Sequence, residues 1–218
     1  MPVDKELRNK YALNGSLDFF QGEILPACPH WHYTTIDSTN QEAIRLISKQ
    51  PLNRALISAD SQTSGRGQYG RKFYSPPNGL YFSIIWGADY LTIERDLKTV
   101  LRVALGLARE LEVLKEALDG PQAKHKLRIK QLNDIYMDGR KIAGILCERY
   151  HSHLIVGIGI NLYAQDFPAD LQGRAGYLLT SEQSVDQRFY KRLITKLQQL
   201  LFNELNAQDL QEFQDRLV

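Results

Sequence analysis

Only two residues of the 218 are cysteine, Cys28 and Cys147, so no disulfide framework staples this chain. Both are expected as reduced thiols of a cytoplasmic protein. No stretch approaches the ~20 consecutive apolar residues that cross a bilayer. The opening residues, Met1-Pro2-Val3-Asp4-Lys5-Glu6, lack the apolar centre of a secretory signal, so no membrane association is expected. An excess of one charge is missing too: 27 Lys and Arg against 25 Asp and Glu leave +2. That balance removes the reason to expect nucleic-acid binding by the chain as a whole, and any positive field is local. No repeat, low-complexity tract or Pro/Ser-rich linker divides the sequence. What is there, 43% hydrophobic and 24% charged residues, is ordinary for a globular protein with one sizeable domain.

Residues 1–30 read as an N-terminal arm or peripheral helix, and 31–218 as the domain proper. Trp31 to Ile36 is rich enough in apolar and β-branched residues for a strand. Ser38-Thr39-Asn40-Gln41-Glu42 then reads as a helix start, with Ser38 and Gln41 as a capping box and Ile44, Leu46 and Ile47 behind it. Ala55–Ala59 and Gly79–Trp86 are further strands. Apolar residues at helical spacing (Leu97, Leu101, Ala104, Leu105, Ala108, Leu111) make a long helix of 97–118, stopped by Asp119-Gly120-Pro121. Leu127–Lys130 precedes a hairpin in which Ile135–Met137 and Lys141–Ala143 flank the turn pair Asp138-Gly139. Gly144–Tyr150 and Leu154–Ile160 continue the meander, with His151 and His153 flanking a turn. A final helix is expected from about Val185 to Leu205, its stripe of Phe189, Leu193, Leu197 and Leu200 facing the core. Grouped helices and a mixed, largely antiparallel sheet make an α+β fold.

Chemistry concentrates in Gly65-Arg66-Gly67-Gln68-Tyr69-Gly70-Arg71-Lys72. Glycines bend the backbone and expose its N–H groups, while guanidinium groups hold oxyanions bidentately. No Gly-Lys-Ser/Thr follows, so this is not a Walker loop, and no βαβ unit surrounds it as a dinucleotide fingerprint requires. By composition alone it reads equally as a phosphate-binding loop or as a surface loop with solvated charges. His30-Trp31-His32 suggests a metal pair, but no third ligand is evident, and no protein-bound metal is expected.

Five segments decide the matter: this loop, Ser38-Thr39-Asn40, Lys130-Gln131-Leu132-Asn133-Asp134, Arg140-Lys141-Ile142-Ala143-Gly144-Ile145-Leu146, and Gly157-Ile158-Gly159-Ile160-Asn161. In that order they resemble the catalytic domain of biotin–protein ligases, a domain of the class II aminoacyl-tRNA-synthetase-like fold. The resemblance runs from about Trp31 to the final helix. It implies that biotin and ATP, with Mg²⁺, form biotinyl-5′-AMP, and that biotin then passes to a lysine on the carrier domain of a biotin-dependent carboxylase such as acetyl-CoA carboxylase. A homodimer is a further expectation of the resemblance.

Residue by residue, it places biotin against Ser38, Thr39, Asn40, Gln62, Gly65, Arg66, Gly67, Lys141 and Gly144. It places the nucleotide against Arg66, Gln68, Arg71, Phe73, Lys130, Asn133, Asp134 and Asn161, with Asn133 and Asp134 also suited to Mg²⁺. Lys141 and Arg66 are the expected catalytic residues. Lys141 alone would read as a solvated lysine after a hairpin, and Ser38 alone as a helix cap; the motif context favours the site. Three residues depart from the family pattern: Gln68 for a common arginine, Gln131-Leu132 for Trp-Pro, and Phe73 for a tryptophan, which keeps a smaller stacking surface. No winged helix is expected before Trp31, nor a small β-barrel after Val218. Two rival readings are a relative that handles lipoate or octanoate and a weakly catalytic biotin-binding protein.

Overall fold

Apolar runs and alternations produce seven strands among the described residues, β1 (His30–Ile36), β2 (Arg54–Gln62), β3 (Leu80–Trp86), β4 (Arg128–Lys130), β5 (Asp134–Met137), β6 (Arg140–Tyr150) and β7 (His153–Ile160). The computed structural model describes residues 28–87, 93–120, 125–130, 133–180, 183, 185–200 and 205–218. The expected N-terminal arm to residue 27 and Gln131-Leu132 lie outside the described residues, as do 201–204 and the side chain of Leu97. The strands join in one sheet of order β1-β2-β3-β7-β6-β5-β4. β1 and β2 run parallel and every other neighbouring pair is antiparallel, so the expected mixed, largely antiparallel sheet is found.

Among the described residues, four α-helices pack with the sheet: α1 (Thr39–Lys49), α2 (Ile93–Asp119), α3 (Gln187–Gln199) and α4 (Ala207–Arg216). A strand's side chains alternate between its two faces, and the helices divide accordingly. Ala43 and Leu46 of α1 cover a small cluster of Ala55, Ile57, Ile85 and Ile155. α2, α3 and α4 cover the other face, where Ala104, Leu105, Ala108 and Leu111 meet Phe82, Ile84, Ile145 and Val156, and Phe189, Leu193 and Leu197 of α3 join them. Each leucine, isoleucine, valine or phenylalanine among them contributes roughly 1.5–3 kcal/mol on full burial, so this larger core holds the domain together.

The turn between β5 and β6 follows its residues. Asp138 at φ 50 and Gly139 at φ 75 occupy the left-handed region that a two-residue hairpin turn demands. The expected final helix is α3, and α4 is a further helix beyond it. Asn206 starts α4 with a reciprocal cap, accepting from the Asp209 N–H at 2.8 Å while the Asp209 carboxylate accepts from the Asn206 N–H at 3.1 Å. Arg216 then reaches Glu112 of α2 at 2.5 Å and Glu212 at 2.7 Å, and Arg109 pairs with Glu212 and Asp209. Beyond this clasp Leu217 bridges to Ile129, extending the sheet past β4.

Candidate active site

Three glycines make a floor. Gly144 on β6 pairs with Gly159 on β7, and Gly157 lies one facing position along. A Cβ at Gly159 would stand 2.6 Å from the Phe73 ring, and one at Gly157 would collide with the Asn40 side chain. Their missing side chains therefore let Phe73 and Asn40 close onto the sheet. Above this floor, on the face covered by α1, lies a cavity of about 200 Å³.

One end of the cavity is neutral and polar. Ser38 stands at the N-terminus of α1 with extended backbone (φ −160, ψ 135), but its hydroxyl makes no capping bond. The expected capping box with Gln41 is thus not formed, and the buried hydroxyl lines the cavity. Asp37 shapes the turn before it by accepting from the Ser38 N–H at 2.7 Å and from Arg45 at 2.6 and 2.9 Å. Arg45 above all holds that carboxyl below the usual carboxylate range. The Gln62 carbonyl oxygen accepts from the Thr39 N–H at 2.8 Å and its hydroxyl at 3.3 Å, while the amide nitrogen donates to Ser75 at 3.0 Å. Both ends of the amide are oriented before any ligand arrives.

The glycine–arginine loop folds over the cavity as a tight hairpin. Arg66 bridges to Lys72, the Gly67 N–H donates to the Arg71 carbonyl at 2.7 Å, and the Phe73 N–H donates to Gly65 at 2.9 Å. Tyr69 (φ 57) and Gly70 (φ 73) make the reversal at its tip, where Tyr69 is 94% exposed. Arg66, Gly67, Gln68, Arg71, Lys72 and Phe73 all line the cavity. Gly65 does not; it lets the loop's base close, since a Cβ there would stand 2.5 Å from the Ser75 hydroxyl.

The opposite wall depends on an irregularity in strand pairing. Asp134 faces Gly144 and Tyr136 faces Lys141, so two steps on β5 match three on β6. The extra residue is a bulge, and it turns Lys141 to the same face as Gly144. The Lys141 ammonium meets the Asp134 carboxylate at 2.6 Å and stands 5.6 Å from the centre of the Phe73 ring. Asn133 lines the cavity while its amide donates to the Ile145 carbonyl at 3.1 Å.

Besides Gly65, two expected site residues lie outside the lining. Lys130 is exposed on β4 with its ammonium 5.4 Å from the Tyr136 ring centre, outside the lining. Asn161 is buried behind the wall, where its amide donates to the Gly176 carbonyl at 2.9 Å and the Lys141 carbonyl at 3.4 Å. It ties the 174–176 segment to the backbone that carries Lys141. Conversely, Tyr136, Leu171, Arg174 and Ala175 line the cavity without having been expected there. Tyr136 lies two residues after Asp134, and strand periodicity alone puts them on one face. Arg174 stands in Gly173-Arg174-Ala175-Gly176, which repeats the glycine–arginine character of the first loop. Burial and then Asp134 raise the Tyr136 phenol, against the opposing pull of Arg174 and Arg71.

His30 and His32 serve the other face. Both rings meet the Ser58 hydroxyl, at 2.8 and 2.9 Å, and His32 stands 3.3 Å from Asp60. Burial lowers His30 to about 3, so it is neutral at pH 7. Among the described residues no three His, Cys, Asp or Glu side chains converge as metal ligands. Nor is any described helix long and apolar enough to cross a membrane.

Most of the cavity's lining, all but Leu171, Arg174 and Ala175, falls inside a region with known relatives. Residues 32–162 match the model of the biotin/lipoate A/B protein ligase family. The bifunctional ligase/repressor BirA of Escherichia coli is 31% identical over 168 residues, 74% of this chain and 47% of that protein. The biotin--[acetyl-CoA-carboxylase] ligase of Paracoccus denitrificans is 31% identical over 170 residues, covering 69% of this chain and 65% of its own length. The biotin protein ligase of Aquifex aeolicus, solved in complex with biotin and ATP, superposes with a TM-score of 0.62 at 27% identity, over 86% of this chain and 72% of that one. The chain spans about half the length of the BirA relatives it matches. The match covers more than half of the chain and most of the cavity's lining: the chain belongs to the biotin/lipoate A/B protein ligase family.

Proposed function

We propose that residues 31–218 form the catalytic domain of a cytoplasmic biotin–protein ligase, which activates biotin with Mg²⁺-ATP and transfers it to a lysine of a biotin carboxyl carrier domain. One observation carries the reading: a neutral polar end (Ser38, Thr39, Gln62) and a cationic end (Arg66, Arg71, Lys72, Lys141) meet over a single glycine floor. A ureido head group needs uncharged donors and acceptors, and its carboxylate tail needs cations beside a polyphosphate. This cavity offers both in that order.

In the first step a biotin carboxylate oxygen attacks the α-phosphorus of ATP, the bond to the β-phosphate oxygen breaks, and pyrophosphate leaves. Nucleophile and electrophile are both anionic, so the barrier falls mainly through charge neutralisation and alignment. Lys141, turned inward by the bulge, is positioned to move from Asp134 to the carboxylate and α-phosphate. Arg66, Arg71 and Lys72 steady the phosphates from the loop. Gly144 and Gly159 let the Phe73 ring close onto the sheet, where it offers an aromatic surface to the nucleotide. In the second step the carrier's lysine amine attacks the acyl carbon of the mixed anhydride, the bond to AMP breaks, and the nitrogen loses its proton. The hairpin loop shields the anhydride from water until then.

The test is to incubate the chain with Mg²⁺-ATP, biotin and a biotin carboxyl carrier domain, alongside a lipoyl domain with lipoate, and to weigh both acceptors by mass spectrometry. Biotin is expected on the carrier lysine alone. Transfer of lipoate instead, or an unmodified carrier, would overturn the reading.

A further inference from the structure

On β6 the period of two that exposes Gly144 and Leu146 to the cavity continues to Glu148. Glu148 is not part of the lining. One of its carboxylate oxygens accepts from the Asn40 amide at 2.8 Å, and the other stands 3.4 Å from the Arg66 guanidinium. Asn40 is itself held on three sides, because its amide nitrogen also donates to the Leu146 carbonyl at 3.3 Å and its oxygen lies 2.6 Å from the Ser83 hydroxyl. It is 3% exposed. The carboxylate is therefore anchored on a rigid point of the floor, and its free edge faces the loop. Arg66 sits on a hairpin closed by its own backbone contacts, Arg66 with Lys72, Gly67 with Arg71 and Phe73 with Gly65.

A negative charge behind a pocket built for anions opposes ligand binding, so its placement calls for another role. We propose that Glu148 is a positioning residue that holds the glycine–arginine loop against the floor through Arg66 before substrate arrives. The inference adds to the reading of the cavity as a biotinyl-adenylate site, since it assigns Arg66 a resting partner that the incoming anions displace. Asp134 stands in the same relation to Lys141, at 2.6 Å. Each cation expected in the chemistry is thus held by one carboxylate, Glu148 from the floor and Asp134 from β5. An arginine held in place also limits the number of loop conformations that must be lost when ligand binds.

Limited trypsin digestion of the ligand-free chain tests this without reference to biotin. Cleavage after Arg66, Arg71 and Lys72 is followed by mass spectrometry and normalised to a small peptide substrate in the same buffer. Glu148→Gln keeps an acceptor for Asn40 and removes the charge that faces Arg66. It is expected to be cut in the loop about fivefold faster at low salt, the scale of one partly exposed ion pair. The loop of the unmodified chain should be cut faster as salt rises toward about 1 M, an arm that needs no mutant to fold, while the variant changes little. Equal rates at low salt, or a salt effect of the same size in both proteins, would overturn the proposal. In adenylate formation the variant should raise the KM for biotin about fivefold with kcat within about twofold. A fall in kcat at unchanged KM would move Glu148 into the chemistry and refute a positioning role. The digestion stands whether or not biotin proves to be the substrate, so failure of the function and failure of the clasp are separable.

Discussion

On β3, Leu80, Phe82, Ile84 and Trp86 face the large core with α2 and α3, while Tyr81 and Ser83 face α1 and the cavity. All are buried, yet the two faces meet different demands. The core face has only to exclude water, and branched apolar side chains do so wherever their volumes fit. The cavity face buries polar groups as well, and a buried polar group is costly unless it is hydrogen-bonded. Ser83 meets Thr39 and Asn40 at 2.8 and 2.6 Å, and the Tyr81 hydroxyl donates to the Pro76 carbonyl at 2.8 Å. Glycines there let Phe73 and Asn40 close onto the strands. One face therefore carries stability and the other carries specificity, although they share strands and a backbone.

Three experiments press on that division. The largest effect is expected from Lys141→Ala on the cavity face. Removing one charge that stabilises a developing anion costs about 10²–10³-fold in rate, so adenylate formation should drop by that factor while the thermal midpoint barely moves. Retained activity would remove Lys141 from the chemistry; a collapsed fold would show that the two faces are not separable. On the core face, Ile84→Ala leaves a void among fully buried side chains and should cost about 2–5 kcal/mol in denaturant unfolding. The folded fraction should bind biotin with unchanged affinity in calorimetry. A weakened affinity would mean that core packing sets the cavity's shape directly.

The smallest effect concerns the clasp at the far side of the core. Arg109 above all, and then Arg216, hold the Glu212 carboxyl down to about 2 against an ordinary value of 4.5. A carboxylate with a depressed native value stabilises the fold fully above its unfolded value and loses that contribution as pH falls through the native one. Glu212→Gln should therefore lower the thermal midpoint by about 2–4 °C at pH 7. The gap to the unmodified chain should close between pH 4.5 and pH 2. A gap that persists at pH 2 would assign the loss to packing instead of charge.

How far these faces were legible beforehand differs by element. The apolar runs of β3 and β7, the helical spacing in α2 and α3 and the Asp138-Gly139 turn all announced themselves, because each is a local pattern enforced by backbone geometry. Helix α4 was missed, since it buries Phe213 and Arg216 but few other side chains. Its one strong signal was the Asn206 and Asp209 pair at cap spacing. Ser38 and Gln41 carried the same kind of signal and yet made no box, because the cavity takes the Ser38 hydroxyl. Cap spacing is permission, and the surroundings decide its use. Arg174 came from a loop distant in sequence from every motif, and Asn161 proved to support Lys141 from behind.

By itself, then, the order of residues determined the strands, most of the helices, the glycine–arginine loop and membership of a family whose motifs recur in sequence. These depend on contacts within a few residues, or on a pattern that survives without coordinates. Only the tertiary structure decided which face each side chain takes. The bulge opposite Ile135 turns Lys141 toward Asp134, and strand order brings Glu148 beside Asn40 and Arg66 across 108 and 82 positions of chain, the differences between the residue numbers. A one-residue shift of register reverses a strand's faces, and no local pattern reports it. Chemistry that depends on the meeting of separate strands can be read only where they meet.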